Sequence, residues 1–279
     1  MHLRHKPRSH AEVVQEIGQF SVSPRRVPES RSASPSHDLR DQHQPGALQD
    51  YYAALSAALG PMHWWPARTS IEMIVGAILT QSTAWSNVER AIENLRRERL
   101  LTFAALERVP LARLQRLVRP SGYFRQKARK LKAFVEFLRN QHGGSLARMF
   151  RTPTSELREQ LLSVHGIGRE TADSILLYAG RHPVFVVDAY THRILERHGF
   201  VHGIPDYERA REFFESRLPR DAALYNEFHA LIVNTGKNWC RKSAPRCGEC
   251  PLAGFLPPDS PLKLSPAMAR TEVAAEATL

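Results

Sequence analysis

Apolar side chains recur along most of this chain at intervals of three and four residues, the spacing that gathers them on one side of a helix. Ile71, Ile74, Val75, Ile78 and Leu79 make one such stripe, and Ser70 before them carries a hydroxyl that can cap the helix start. This stripe predicts a central core helix. Leu111, Leu114, Leu117 and Val118 mark a short helix that stops at the break RPSG, and Leu131, Phe134, Val135 and Leu138 mark a longer one with a basic beginning, FRQKARKLK. Thr154 or Ser155 can cap a helix through Leu157, Leu161 and Leu162. Ala172, Ile175, Leu176 and Ala179 form the next stripe, and Leu224, Phe228, Leu231 and Ile232 a late one. Strand-like runs are scarce. PVFVV at 183–187 is the best β candidate, yet one short apolar run among so many helices reads equally as an extended linker. The predicted fold class is all-α.

The two ends lack this periodicity. Residues 1–46 mix Arg, His, Ser, Pro and Gln with too little apolar surface to offset chain entropy, and are expected to form a disordered basic arm. Residues 257–279 are Pro-rich and then Ala- and Glu-rich, and are expected to be a flexible tail. The folded region is therefore placed at 47–256. No apolar stretch approaches the roughly 20 residues of a spanning helix, and the N-terminus has no apolar signal core. A membrane role is thus excluded, and a cytoplasmic location is expected. The formal net charge is +11 over 279 residues. Such a balance favours a polyanionic partner, because each neutralised phosphate releases condensed counterions. Ribosomal and membrane-surface proteins share it, so motifs have to decide.

Residues 164–180 read VHGIGRETADSILLYAG: a helix end, a tight turn, and the start of a second helix. Glycine tolerates positive φ and a close backbone approach, and the first N–H groups of the second helix are free to hold a phosphate. Read alone, Gly166 and Gly168 are explained as well by helix capping and packing. Shortly after comes VVDAYTHRILERHG, with Asp188 at the start of a further helix. Together, HGIGRETADSILLYA and VFVVDAYTHR resemble the helix-hairpin-helix DNA glycosylases of the endonuclease III superfamily. ILTQST at 78–83 and SGYFRQKA at 121–128 resemble segments of the same family, and the likeness spans about residues 48–256.

The resemblance implies a two-lobed helical fold in which His165, Gly166, Ile167, Gly168 and Arg169 grip the DNA backbone. A base must leave the duplex before it can be cut, and Gln81 matches the residue that fills the gap. Asp188 corresponds to the aspartate at the damaged sugar, where a fixed carboxylate stabilises developing positive charge and orients or deprotonates the attacking water. Bifunctional members carry a lysine after Gly-x-Gly-Arg, and its amine attacks the sugar. Here that position is Glu170, which cannot form an imine, so the enzyme is expected to release the base and stop at an abasic site. Adenine-removing relatives carry an extra acid before the glutamine, whereas positions 76–78 read Gly, Ala, Ile.

A single evident carboxylate suits a base that needs little protonation to leave. A purine alkylated on a ring nitrogen is cationic, departs neutral, and is attracted to aromatic faces, Trp above all. Three of the chain's four tryptophans flank the core helix, in HWWPARTS and QSTAW. Trp64, Trp65, Pro66 and Trp85 thereby resemble the base pocket of the 3-methyladenine glycosylases in the superfamily, although ordinary core packing also uses Trp for its area.

Cys240, Cys247 and Cys250 are an odd, crowded set, unlike a secreted disulfide framework. Their spacing, C-x6-C-x2-C, matches the first three ligands of the iron–sulfur loop of many endonuclease III relatives, and Leu256 takes the place of the fourth. A [4Fe–4S] cluster normally takes four thiolates, so the cluster is lost, completed by a non-cysteine ligand, or replaced by a three-Cys zinc site. The chemistry itself needs no cofactor. Lys237, in the basic stretch NTGKNWCRKSAPRC, is a candidate phosphate contact. The expected partner is double-stranded DNA containing a damaged base, bound by a monomer. Two rivals remain: an endonuclease III-like glycosylase and AP lyase acting on oxidised pyrimidines, and a catalytically silent DNA-binding protein.

Overall fold

The computed structural model describes residues 47–201 and 206–257; the expected arm at 1–46 and, apart from Pro257, the expected tail lie outside them. Among the described residues there are α-helices, short 3-10 turns and a π turn but no strand. No helix among them is long and apolar enough to cross a membrane.

The helices are α1 Ala47–Leu59, α2 Ser70–Leu79, α3 Trp85–Arg97, α4 Phe103–Arg108, α5 Leu111–Leu117, α6 Phe124–His142, α7 Leu146–Met149 and α8 Thr154–Ser163. Then come α9 Arg169–Ser174, continued by a π turn at Ile175–Ala179, and α10 Ala189–Arg197, α11 Tyr207–Glu215 and α12 Ala222–Asn238. Their apolar stripes close on two separate cores. Helices α2 to α9 surround the first, where Ile74, Ile78, Leu95, Leu138, Leu161 and Leu176 are fully buried. The second gathers Leu55 of α1 with Phe200, Phe214, Tyr225 and Phe228 from the later part of the chain. The described residues therefore start in one lobe at α1, build the other, and return.

The return runs through PVFVV, which is neither helical nor paired as a strand. Its apolar side chains serve both lobes: Val184 belongs to the first core, and Phe185, Val186 and Val187 to the second. Phe185 stacks on Phe214 with ring centroids 4.0 Å apart, and its N–H donates to Glu215 Oε1 at 2.9 Å where a ladder bond would otherwise be needed.

Two expected caps move. Thr69, not Ser70, accepts the Glu72 N–H and caps α2, because Thr69 has the extended backbone of a cap. Ser70, already helical, donates to Ala179 O instead. Before α8 the cap position is Pro153, and the Thr154 hydroxyl bonds His182 Nδ1. The basic start of α6 is partly internal: Lys127 is buried and donates to Leu79 O at 2.9 Å and Ser121 O at 2.5 Å. It fixes the turn at 119–123 to the C-terminal end of α2. On that turn Tyr123 is 68% exposed, unusual for so large a ring.

Candidate active site and DNA-binding hairpin

Helices α8 and α9 form the hairpin, joined by Val164 to Gly168. Gly166 has φ +83°, and a Cβ there would come within 2.4 Å of Lys130 Cγ, so the turn lies directly on α6. Ile167 is buried and anchors the loop, while His165, Gly168 and Arg169 face solvent. Gly168 is different from Gly166: its φ is ordinary, and a Cβ would meet nothing within 4 Å. Arg169 is held in ion pairs with Asp206 at 3.0 Å and Glu208 at 3.4 Å. Behind the hairpin, buried Asp173 accepts two hydrogen bonds from Arg158, at 2.7 and 3.0 Å, and one from Tyr207 at 2.9 Å. This network ties α9 to both α8 and α11.

Gln81 follows α2 and reaches the same turn. Its Nε2 donates to Gly166 O at 3.0 Å and to Thr171 Oγ1 at 2.9 Å, and its Oε1 accepts from Lys130 Nζ. Gln81, Lys130, Gly168, Glu170 and Tyr207 line one open groove. Burial lowers the Lys130 pKa. Glu170 is exposed by surface area and lines that groove. Desolvation, followed by the charge of Asp188, pushes its pKa up to about 7.

Asp188 caps α10. Its Oδ1 accepts the Thr191 N–H at 2.8 Å and the Thr191 hydroxyl at 2.9 Å, and its Oδ2 lies 3.6 Å from Nε2 of His229 on α12. His229 is buried, and its Nδ1 bonds the Tyr178 hydroxyl. Neither residue stands out in the sequence. Tyr178 ends the hairpin segment, and His229 sits beside Phe228 in a buried helical stripe, where a lone polar residue was the available signal.

The tryptophans meet this pair. Trp65 packs against Trp85 edge to face at 5.0 Å, against Tyr178 at 5.5 Å, and against Trp64 at 5.5 Å. Gly76 makes room for it, since a Cβ there would stand 3.4 Å from the Trp65 ring. Pro66 is exposed beside them. Lys237 Nζ lies 5.7 Å from the centre of the Trp64 ring. A continuous wall thus runs from Trp85 through Trp65, Tyr178 and His229 to Asp188.

Cys240, Cys247 and Cys250 line a separate small cavity with Arg197, His198, Trp239, Leu252 and Leu256. Leu256 therefore stands in the wall where its spacing places the fourth ligand. Arg197 Nη1 donates to Cys240 Sγ at 3.3 Å, and burial raises the pKa of Cys247 and lifts that of Cys250 to about 11. Among the described residues no group of three or more His, Cys, Asp or Glu is placed to hold a metal ion. The donor set is one thiolate short of a [4Fe–4S] site.

A two-lobed helical fold with a glycine hairpin and a carboxylate at the following helix start defines the helix-hairpin-helix class of DNA repair enzymes. The chain belongs to the HhH-GPD superfamily of base excision DNA repair proteins, whose family model matches residues 75–220, and it is a DNA repair glycosylase. It is 46% identical over 210 residues to MJ1434 of Methanocaldococcus jannaschii, provisionally named a DNA repair glycosylase, covering 75% of this chain and 91% of that one. Among solved structures it resembles the H. pylori 3-methyladenine DNA glycosylase MagIII bound to 1,N6-ethenoadenine, with 30% identity and a TM-score of 0.61 over 68% of this chain and 97% of that one. A non-covalent endonuclease III–DNA complex shares the fold at 21% identity, with a TM-score of 0.67 over 77% and 96% of the two chains.

Proposed function

We propose that the protein is a monofunctional DNA N-glycosylase that acts as a monomer on duplex DNA, flips out an alkylated purine, 3-methyladenine foremost, and leaves an abasic site. The observation that carries this reading is the aromatic wall ending at Asp188. Trp64, Trp65 and Trp85 offer ring faces and edges to a flat, cationic base, and Asp188 stands where the sugar bonded to that base would lie. As the base departs neutral, the sugar carbon turns positive, and the carboxyl group of Asp188 stabilises it and directs water to it. Glu170 supports release without strand cleavage, because a carboxyl cannot form an imine. Gln81, beside the hairpin, fills the space left in the stack, and the hairpin from His165 to Arg169 offers backbone N–H groups to phosphate.

The test is base release from alkylated duplex DNA, with each sample run on a denaturing gel before and after hot alkali. Free 3-methyladenine together with breaks that need alkali is the expected result; breaks without alkali, or no release, would overturn the reading. One observation favours a second reading, a lyase: Lys130 lines the same groove as Glu170, and burial makes its amine easier to deprotonate. A borohydride-trapped adduct that disappears in Lys130→Gln would support it.

A further inference from the structure

Asp188 uses its two oxygens differently. Oδ1 is filled by the Thr191 N–H and hydroxyl, whereas Oδ2 faces His229 Nε2 at 3.6 Å. That nitrogen is buried and has no hydrogen-bond partner, an arrangement that a folded chain rarely keeps for nothing. On the other side of the ring, Nδ1 is bonded to the Tyr178 hydroxyl.

The protonation of the pair follows from its surroundings. Burial, then the charge of Asp188, raises the Tyr178 pKa well above its ordinary value, so the phenol keeps its proton. Burial lowers the His229 pKa against the opposing pull of Asp188, so the imidazole is neutral near pH 7. A neutral imidazole has one N–H. If the phenol donates to Nδ1, that N–H sits on Nε2, the ring nitrogen 3.6 Å from Asp188 Oδ2. The other titratable groups coupled to Asp188 are Glu170 on α9 and His192 on α10, whose pKa burial also lowers.

We infer that Tyr178 and His229 are positioning residues that act on base release through Asp188, presenting a neutral N–H to its second oxygen and so aiming the carboxylate at the sugar. A dipole orients the carboxylate without cancelling its charge, whereas an imidazolium would form an ion pair and weaken the field that the positive sugar needs. Tyr178 also packs on Trp65, so the same residue borders the base pocket and fixes the tautomer of His229. This inference rests on Asp188 being the carboxylate that serves the sugar.

The test is single-turnover release of 3-methyladenine by the full-length protein and its variants, with damaged-DNA affinity measured alongside. Tyr178→Phe keeps the ring on Trp65 and loses the hydroxyl; it should slow release by about tenfold at unchanged DNA affinity. His229→Leu should slow release at least as much, His229→Gln should recover part of the rate, and His229→Leu should have no further effect in an Asp188→Asn background. Equal slowing in both backgrounds, or wild-type rates for Tyr178→Phe, would overturn the inference while leaving Asp188 in its role. An Asp188→Asn variant as fast as the wild type would instead remove the reading beneath it. Should the His229 variants fail to fold, 15N NMR of the wild-type imidazole decides: an Nε2–H tautomer is expected, and an Nδ1–H or doubly protonated ring would overturn the inference.

Discussion

Glu170 and Asp188 are two carboxyls within electrostatic reach, and their settings differ. Asp188 has Thr191 to solvate one oxygen, whereas the Glu170 carboxyl loses solvation in the groove and feels the Asp188 charge, which together move its pKa from 4.5 to about 7. The sign of the stability effect follows directly. Below pH 4.5 Glu170 is protonated in both folded and unfolded chains; between 4.5 and about 7 the unfolded chain gives up this proton first, so folding is increasingly disfavoured as pH rises, and the penalty is complete above about 7. Glu170→Gln removes the ionisable group. It should therefore raise the melting temperature at pH 8 and leave it nearly unchanged at pH 4. A gain of the same size at both pH values would show that the carboxyl is not held protonated. DNA should add to the effect, since nearby phosphates further disfavour a charged Glu170.

At the scale of elements, the hairpin separates two glycines that look alike in the sequence. Gly166→Ala places a Cβ at positive φ and into Lys130, which should cost about 1–3 kcal/mol in denaturant unfolding and weaken DNA binding as a consequence. Gly168→Ala has open space and an ordinary φ, so folding should change by less than about 1 kcal/mol. If the Gly168 amide faces a phosphate, DNA affinity should nevertheless fall, and unchanged affinity would remove Gly168 from the interface. The helical stripes were legible because each apolar face points into a core, as at Ile74, Ile78 and Leu161. Caps were not, because Thr69 and Ser70 offer the same hydroxyl and only the backbone turn decides which one accepts. PVFVV could not be resolved either, since burial between two cores and burial in a sheet demand the same side chains. Of the candidate site, Asp188, Glu170 and the tryptophans were proposed from motifs, and the structure places Asp188 and Glu170 within electrostatic reach and packs the tryptophans together. Tyr178 and His229 were not legible, because what sets them apart is a hydrogen bond between residues 51 positions apart, visible only once α12 packs beside the π turn.

Across the whole molecule, the 39 lysines and arginines overstate the cation available to DNA, because many of these side chains are already engaged. Arg158 is shared by Asp173 and Glu208, Arg169 by Asp206 and Glu208, and Arg211 by Glu208 and Glu215. Arg96 pairs with Glu72, and Lys127 is spent on two carbonyls. By contrast, Arg125 and Arg129 are exposed on the first turns of α6, the helix whose Lys130 lies under Gly166, so α6 carries exposed cations as well as supporting the hairpin turn. If backbone N–H groups and arginines touch phosphates, which are the same at every step, binding should depend on salt and hardly on sequence. With about six phosphate contacts, affinity should drop roughly a thousandfold between 50 and 200 mM salt. Arg125→Gln combined with Arg129→Gln should make the slope shallower by about 2 in log Kd against log salt. The rate of base release once DNA is bound should hardly respond to salt, because the Asp188 pocket is screened by protein rather than by ions. Fluorescence anisotropy on two unrelated duplexes, paired with single-turnover rates across the same salt series, checks both halves. A flat binding curve would remove the phosphate grip, and a salt-sensitive chemical step would place Asp188 in open solvent.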